Sequence, residues 1–396
     1  MPRAESRGPS AALFDVAALR RAEFPWADRG EAVYLNNAST GPLPRRTTAA
    51  IEAFTRLRAE PFRMTDEVQF GTLVRARELC ARLVGASPRE IALMVNTSYG
   101  LNLAARALPL AAGDVVLTLD REFPANVYPW MALERAAGVE LRRVPCADGR
   151  LPDEEALVRA LDADPRVKVV TVSWVSFATG YRVDLARLGA RCRERGVYFV
   201  VDAIQGLGAA TLDVARCHVD VLACGAQKWL MGPWGTAFVY VRDELVERLA
   251  PSAVGWMSVR GSDDFSRLVD YDLTWRDDAR RFEVITLPFQ DFAGMNASLE
   301  LLCELGPAAV EAHVAALAGR VVRWAEGRDD VRLVTPADPA RRAGIVSVAP
   351  RDPAAASARL TSAGVFHSLR EGAVRLSPHC YNTEEEVDAA LAALAG

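Results

Sequence analysis

From about residue 90 the chain alternates short, nearly uninterrupted apolar runs with longer stretches whose apolar residues recur every three or four positions. The runs are IALMV (91–95), VVLTL (115–119), VKVVTVSWV (167–175), VYFVVD (197–202), VDVLACG (219–225) and TAFVYVR (236–242). Strands of this kind have no polar face to offer water, so they predict a largely parallel sheet covered by helices on both sides. The intervening stretches suit that role: DLARLGARCRERG opens at Asp184, which can cap helical amides, and stops at Gly196. The expected fold class is α/β, with a large, doubly wound, mainly parallel sheet.

Beyond about residue 290 the texture changes. Helical patterns over 291–304 and 307–326 lead into VRLV, GIVSVA and AVRLS, interleaved with the helix-like DPAAASARLTSAG and TEEEVDAALAALAG. This mixture predicts a smaller α+β C-terminal domain. The charged segment 258–281 before it is expected as an exposed loop or a subunit-facing excursion.

Composition narrows the function. The 396 residues, 51% hydrophobic and 25% charged, are ample for two or three domains with ordinary cores. A net charge of −4 supplies no positive field to gather nucleic-acid phosphates. Seven scattered Cys without a CxxC pair predict reduced thiols and a cytoplasmic location, and four His without HxH or HExxH spacing predict no metal centre. The charged opening MPRAESRGPSAALFDVAALRRAEF lacks the apolar stretch of a signal peptide, and no run approaches 18 apolar residues, so no membrane partner is expected.

One count is unusual. The 47 basic residues include only two Lys, Lys168 and Lys228. In a chain that otherwise uses Arg for its cations, a retained amine points to chemistry that a guanidinium cannot perform, such as losing a proton or forming a Schiff base. Lys228 lies in ACGAQKWLMGPWG, after one apolar strand and before another, where open α/β sheets gather their ligands. Its apolar neighbours would lower the amine pKa.

Other candidates surround it in the order of the strands. Asp202 ends VYFVVD, and a carboxylate there needs a cation or a donor; a protonated pyridine nitrogen would serve, and so would the amides of the following turn. Gln205 follows three residues later. In VNTSYGLNLAARAL, Thr97, Ser98 and the amides near Tyr99 and Gly100 precede a helix, a suitable seat for a phosphate and equally an ordinary helix cap. Phe123, after the next strand, offers a flat face for a ring or for the core.

These pieces, in this order, resemble the class V aminotransferases, a fold-type I pyridoxal phosphate (PLP) family that includes cysteine desulfurases and isopenicillin N epimerase-like proteins. The likeness runs from YLNNASTGPLP (34–44) to VRLSPHCYNTEEEVD (374–388), with VDAIQG and QKWLMGPWG as its strongest elements. It implies PLP as cofactor, a small amino-acid-type substrate and a homodimer with shared active sites. It implies a large PLP-binding domain over 36–285, a small domain over 286–396, and a segment 1–35 packing on the small domain. Lys228 is similar to the Schiff-base lysine and the general base, Asp202 to the pyridine-nitrogen partner and Gln205 to the phenolate contact. Thr97, Ser98 and Tyr99 are similar to the phosphate turn, Phe123 to the ring-stacking position, and Gln227 to a replacement for a missing phosphate contact. Ser176 stands where relatives place a phenolate neighbour, and Thr286 where a residue reaches the other subunit's phosphate. Arg375 looks like the carboxylate grip, and Asn37 like part of the substrate-pocket wall.

The chain departs from the desulfurase pattern in one telling place. GVFHSLREGAVR (364–375), upstream of the carboxylate-gripping Arg, contains no Cys, and Cys380 follows it. The resemblance therefore implies an aminotransferase-type reaction, with a cysteine-conjugate C–S β-lyase or an epimerase as alternatives. A PLP-binding regulatory module is the non-enzymatic alternative.

Overall fold

A computed structural model describes residues 14–396; the first part of the expected 1–35 segment therefore lies outside the described residues. The described residues open on a helix, Val16–Glu23, and a short strand, β1 (Val33–Tyr34). Seven strands follow: β2 (Ile91–Met94), β3 (Val115–Leu119), β4 (Glu140–Val144), β5 (Val167–Ser173), β6 (Tyr198–Asp202), β7 (Val221–Gly225) and β8 (Ala237–Val241). They form one sheet in the order β2-β8-β7-β6-β5-β3-β4, in which β8 runs antiparallel to both neighbours and the other pairings are parallel.

Side-chain alternation divides the core. Phe199 and Val201 of β6 join the cluster on one face, while Val200 joins the cluster on the other. Both faces are buried, which is why these strands read as continuous apolar runs. The exception is β4, ELRRV, an edge strand with arginines at two successive positions, one half-buried and one exposed. The helix expected after Asp184 spans Leu185–Arg195; the Asp184 side chain accepts a hydrogen bond from the Arg187 amide, and Gly196 closes the helix at a φ of 65°.

The small sheet is built from β9 (Val331–Leu333), β10 (Val346–Pro350), β12 (Ser368–Arg370) and β13 (Ala373–Leu376), in the order β12-β13-β10-β9 and antiparallel throughout. The intervening β11 (Val365–Phe366) instead pairs with β1, which places the N-terminal segment beside this unit. Arg20 reinforces that attachment through its ion pair with Glu386 at 2.7 Å.

The expected boundary at 285/286 does not coincide with the packing. Helix Phe289–Leu305 buries Phe292, Met295, Leu299 and Leu302 in the core of the large sheet. The next helix, Pro307–Glu326, joins that core through Val310 and Val314, and the core beneath the small sheet through Leu317, Val321 and Val322. No single helix among the described residues is long and apolar enough to cross a membrane.

Candidate active site

The parallel strands end on one edge of the large sheet, and the chemistry gathers there. Thr97 follows β2, Phe123 follows β3, Asp202 ends β6, and Lys228 lies three residues beyond β7. Phe123, Asp202, Gln205 and Lys228 line a single narrow cleft, together with Ser173 and Phe177. The Lys228 Nζ stands 5.6 Å from the centroid of the Phe123 ring.

Electrostatics make Lys228 an unusual amine. Burial pushes its pKa down to about 8; the nearby Asp202 carboxylate opposes that shift and Arg375 adds to it. Such an amine exchanges its proton near neutral pH. Asp202 is shifted the other way: burial raises its carboxyl to about 6, against the Ile204 amide, which donates to Oδ1 at 3.1 Å, and the charge of Lys228.

Gln205 has a fixed orientation. Its Oε1 accepts from the Trp229 indole at 3.1 Å, so its amide nitrogen is the donor to the Ala38 carbonyl at 3.0 Å and keeps a second N–H. Trp229 was not singled out from the sequence. Its indole N–H, buried beside a polar residue of the cleft, is the feature that could have marked it.

The helix Thr97–Ala107 points its N-terminus at the same edge. Asn96 caps it by accepting from the Tyr99 amide, and the Thr97 hydroxyl accepts from the Gly225 amide at 2.9 Å, leaving its own proton to donate. Gly100 lets this helix lie directly on the sheet, because an added Cβ would overlap Val239 and Ala223. Gln227 Oε1 approaches the same turn, since a Cβ on Gly225 would meet both it and Thr97. Free amides, a hydroxyl and a positive helix end make this a fitting anion seat. Ser98 is exposed on the first turn and Tyr99 packs its half-buried ring against the core.

Arg375 enters from β13. It is 2% exposed and donates to Ser368 Oγ at 3.0 Å, to the Phe177 carbonyl at 2.8 Å and to Ser39 Oγ at 2.8 Å. All three acceptors are neutral, and no carboxylate among the described residues pairs with it. Burial, followed by the charge of Arg370, lowers its pKa to about 10. A buried guanidinium without an anion, bordering the cleft through Phe177, suits an anionic ligand.

Three expected residues lie elsewhere. Asn37 is fully buried, but its Nδ2 donates to the Ser377 carbonyl and its Oδ1 accepts from the Tyr381 hydroxyl, so it fastens the N-terminal segment to the small domain and is not free for a substrate. Ser176 caps its own turn by accepting from the Thr179 amide at 3.3 Å, and it lines the adjoining cavity; Ser173 takes the place on the cleft. Thr286 is exposed on the connection to helix Phe289–Leu305, away from the cleft of its own chain.

Sequence reasoning also missed Glu122. Its carboxylate accepts from the Ser173 amide at 2.8 Å, from the Ser173 hydroxyl, and from Asn126 Nδ2 at 3.1 Å. Asn126 in turn accepts from the Thr171 hydroxyl at 2.6 Å. Ser173 pairs with Asp202 across β5 and β6, so this network fixes the strand end beside the buried carboxylate. Burial raises Glu122 to about 7, and the charge of Asp202 adds to that shift. The available signal was an acid directly beside Phe123, in the turn after an apolar strand.

The N-terminal segment clamps the lysine loop. The Gly41 amide donates to the Gln227 carbonyl at 2.9 Å, and a Cβ at Gly41 would overlap the Lys228 carbonyl oxygen. Gly41→Ala is therefore expected to displace the loop and lower turnover by about a hundredfold, the scale of a 1 Å misplacement. Circular dichroism should remain native-like. Wild-type turnover in this variant would show that the contact does not position Lys228.

The sequence matches the profile of the aminotransferase class-V family over residues 33–390. The chain belongs to the class-V aminotransferase family. It is accordingly an enzyme of PLP-dependent type, with the α/β fold of that group. Isopenicillin N epimerase from Streptomyces clavuligerus is 32% identical over 375 residues, covering 90% of this chain and 92% of the relative. Among solved structures, the apo cysteine desulfurase from Thermococcus onnurineus NA1 aligns with a TM-score of 0.83 and 25% identity over 97% of both chains. The cystine C–S lyase C-DES, in complex with its reaction product cysteine persulfide, aligns with a TM-score of 0.83 and 25% identity over 93% of this chain and 99% of that one. The buried anion, the amine, the anion seat and the flat aromatic side chain form a donor set that fits PLP.

Proposed function

We propose that this enzyme carries out an aminotransferase-type reaction on an amino acid, with Lys228 as the group that holds the cofactor and moves the substrate's Cα proton. The observation that carries this reading is the convergence, beside one cleft, of a depressed amine and a buried carboxylate from the large sheet with a buried guanidinium from the small one that has no carboxylate partner among the described residues. Bound PLP supplies an electron sink for charge developing at the substrate Cα. Arg375 grips the α-carboxylate and thereby fixes which Cα bond is presented. Lys228, near its pKa at neutral pH, takes and returns the proton. Asp202 would hold the protonated ring nitrogen of the cofactor, Gln205 would offer its remaining N–H to the ring's oxygen, and Phe123 would stack on the ring. Thr97, Gln227 and the helix amides hold the phosphate, with Ser98 and Tyr99 contributing through the first turn. Thr286 is assigned to the neighbouring subunit's site in a homodimer, and the cytoplasm is the proposed location.

A persulfide-forming route is disfavoured. The β12–β13 hairpin carries no thiol, Cys380 is buried in the core, and burial raises Cys224 far above the thiolate range. Likeness to the cystine C–S lyase keeps β-elimination as the second reading. The two readings separate when the purified yellow enzyme meets amino acids and cysteine S-conjugates without added keto acid. Transamination predicts a spectral change that stalls until a keto acid is supplied. Pyruvate and free thiol formed continuously without it would replace this reading with elimination.

A further inference from the structure

The β12–β13 hairpin carries a second cation beside Arg375. In this antiparallel pair Ser368 stands opposite Arg375, and Arg370 stands opposite Ala373. Residues two apart on a strand share a face, so Arg370 leaves the sheet on the same side as Ser368 and Arg375, about 7 Å farther along. The hydrogen bond from Arg375 to Ser368 marks that side as the one facing the cleft. Arg370 donates only to the Leu369 carbonyl of its own strand, and no carboxylate among the described residues pairs with it. The acid next to it, Glu371, is taken by Arg121 of the large domain at 2.8 Å. The field of Arg370 reaches both Lys228 and Arg375, lowering the pKa of each. The hairpin thus presents two guanidiniums on one face, Arg375 buried and Arg370 exposed, and neither has a carboxylate partner among the described residues.

We propose that Arg370 grips a second carboxylate on the substrate, so that the enzyme accepts an acidic amino acid with a distal carboxyl group. The proposal rests on the assignment of Arg375 to the α-carboxylate and adds the substrate class. A planar guanidinium matches a carboxylate in two parallel hydrogen bonds, and at the exposed mouth the long side chain can adjust to the reach of the substrate.

The probes are succinate, glutarate and adipate against butyrate, valerate and hexanoate, titrated calorimetrically into PLP-loaded enzyme at low salt. The best dicarboxylate is expected to bind about tenfold more tightly than its monocarboxylate counterpart, the scale of one added charge-assisted contact. In Arg370→Ala that ratio should fall close to one, and Arg370→Lys should recover part of it. A wild-type enzyme that fails to prefer dicarboxylates, including one that binds neither series, overturns the proposal. So does an Arg370→Ala enzyme that keeps the full ratio. Arg375→Ala separates the two assignments: if monocarboxylates bind that variant as they bind wild type, the α-carboxylate assignment itself is wrong. Native circular dichroism in each variant shows that the change lies in the site.

Discussion

Lys228→Ala is expected to lower turnover at least a thousandfold, because it removes both the attachment point of the cofactor and the group that moves the proton. The side chain borders a cleft, and its loss leaves the surrounding Trp229, Leu230 and Met231 packed as before, so the fold should survive. Lys228→Arg is the sharper variant. It restores a cation of similar reach that cannot lose its proton at any working pH, and it should be as inactive as the alanine variant. Steady-state turnover with the preferred amino acid, alongside circular dichroism, gives the answer. If arginine rescues activity, a fixed charge is all that the position supplies, and the amine chemistry assigned to it is wrong.

Asp202→Asn should have opposite effects on activity and stability. The carboxamide can still accept from the Ile204 amide but carries no negative charge behind the ring, and turnover should fall by about a hundred- to a thousandfold, the range seen when one preorganised electrostatic group is removed. The cofactor-free protein should become more stable. The Asp202 carboxyl titrates at about 6 in the fold against 3.8 when free, so the folded state holds the extra proton between those values. Its favourable contribution is complete below pH 4 and is lost as the pH rises through 6. At pH 8 the wild type bears the whole cost of a buried carboxylate, and the asparagine variant should gain about 3 kcal/mol, a gain that shrinks to about 0.5 kcal/mol by pH 4. Urea unfolding of the cofactor-free proteins at the two pH values measures it. A variant destabilised at pH 8 would mean that Asp202 serves the fold and not a ligand.

The parts of this architecture that were legible in the sequence are those where local pattern and burial coincide. Strands β5, β6 and β7 are largely apolar because both of their faces are covered, and the Asp184 to Gly196 helix carries its start and stop signals within its own residues. Lys228 and Asp202 stood out because a charged residue at the end of an apolar strand is chemically expensive without a partner. Features set by distant contacts were not legible. The edge strand β4 reads as polar because one side of it meets water, and the reversed direction of β8 leaves no local trace. Helix Phe289–Leu305 shows an apolar face, but nothing in its sequence states that the face belongs to the large core. Asn37 has the composition of a pocket residue, yet Ser377 and Tyr381, more than 300 positions away, consume both ends of its amide. Glu122 was overlooked because its three donors come from Ser173 and Asn126, whose proximity only the folded sheet creates.

The two lysines offer the most direct test of the central claim. Lys168 is exposed on β5 and donates only to the Pro165 carbonyl, whereas Lys228 borders the cleft with a depressed pKa. Borohydride reduction of the yellow enzyme, followed by proteolysis and mass mapping, should place the cofactor's added mass on the peptide containing Lys228 and leave the Lys168 peptide unmodified. Label on Lys168, or reduction that leaves both peptides unmodified, would contradict the account.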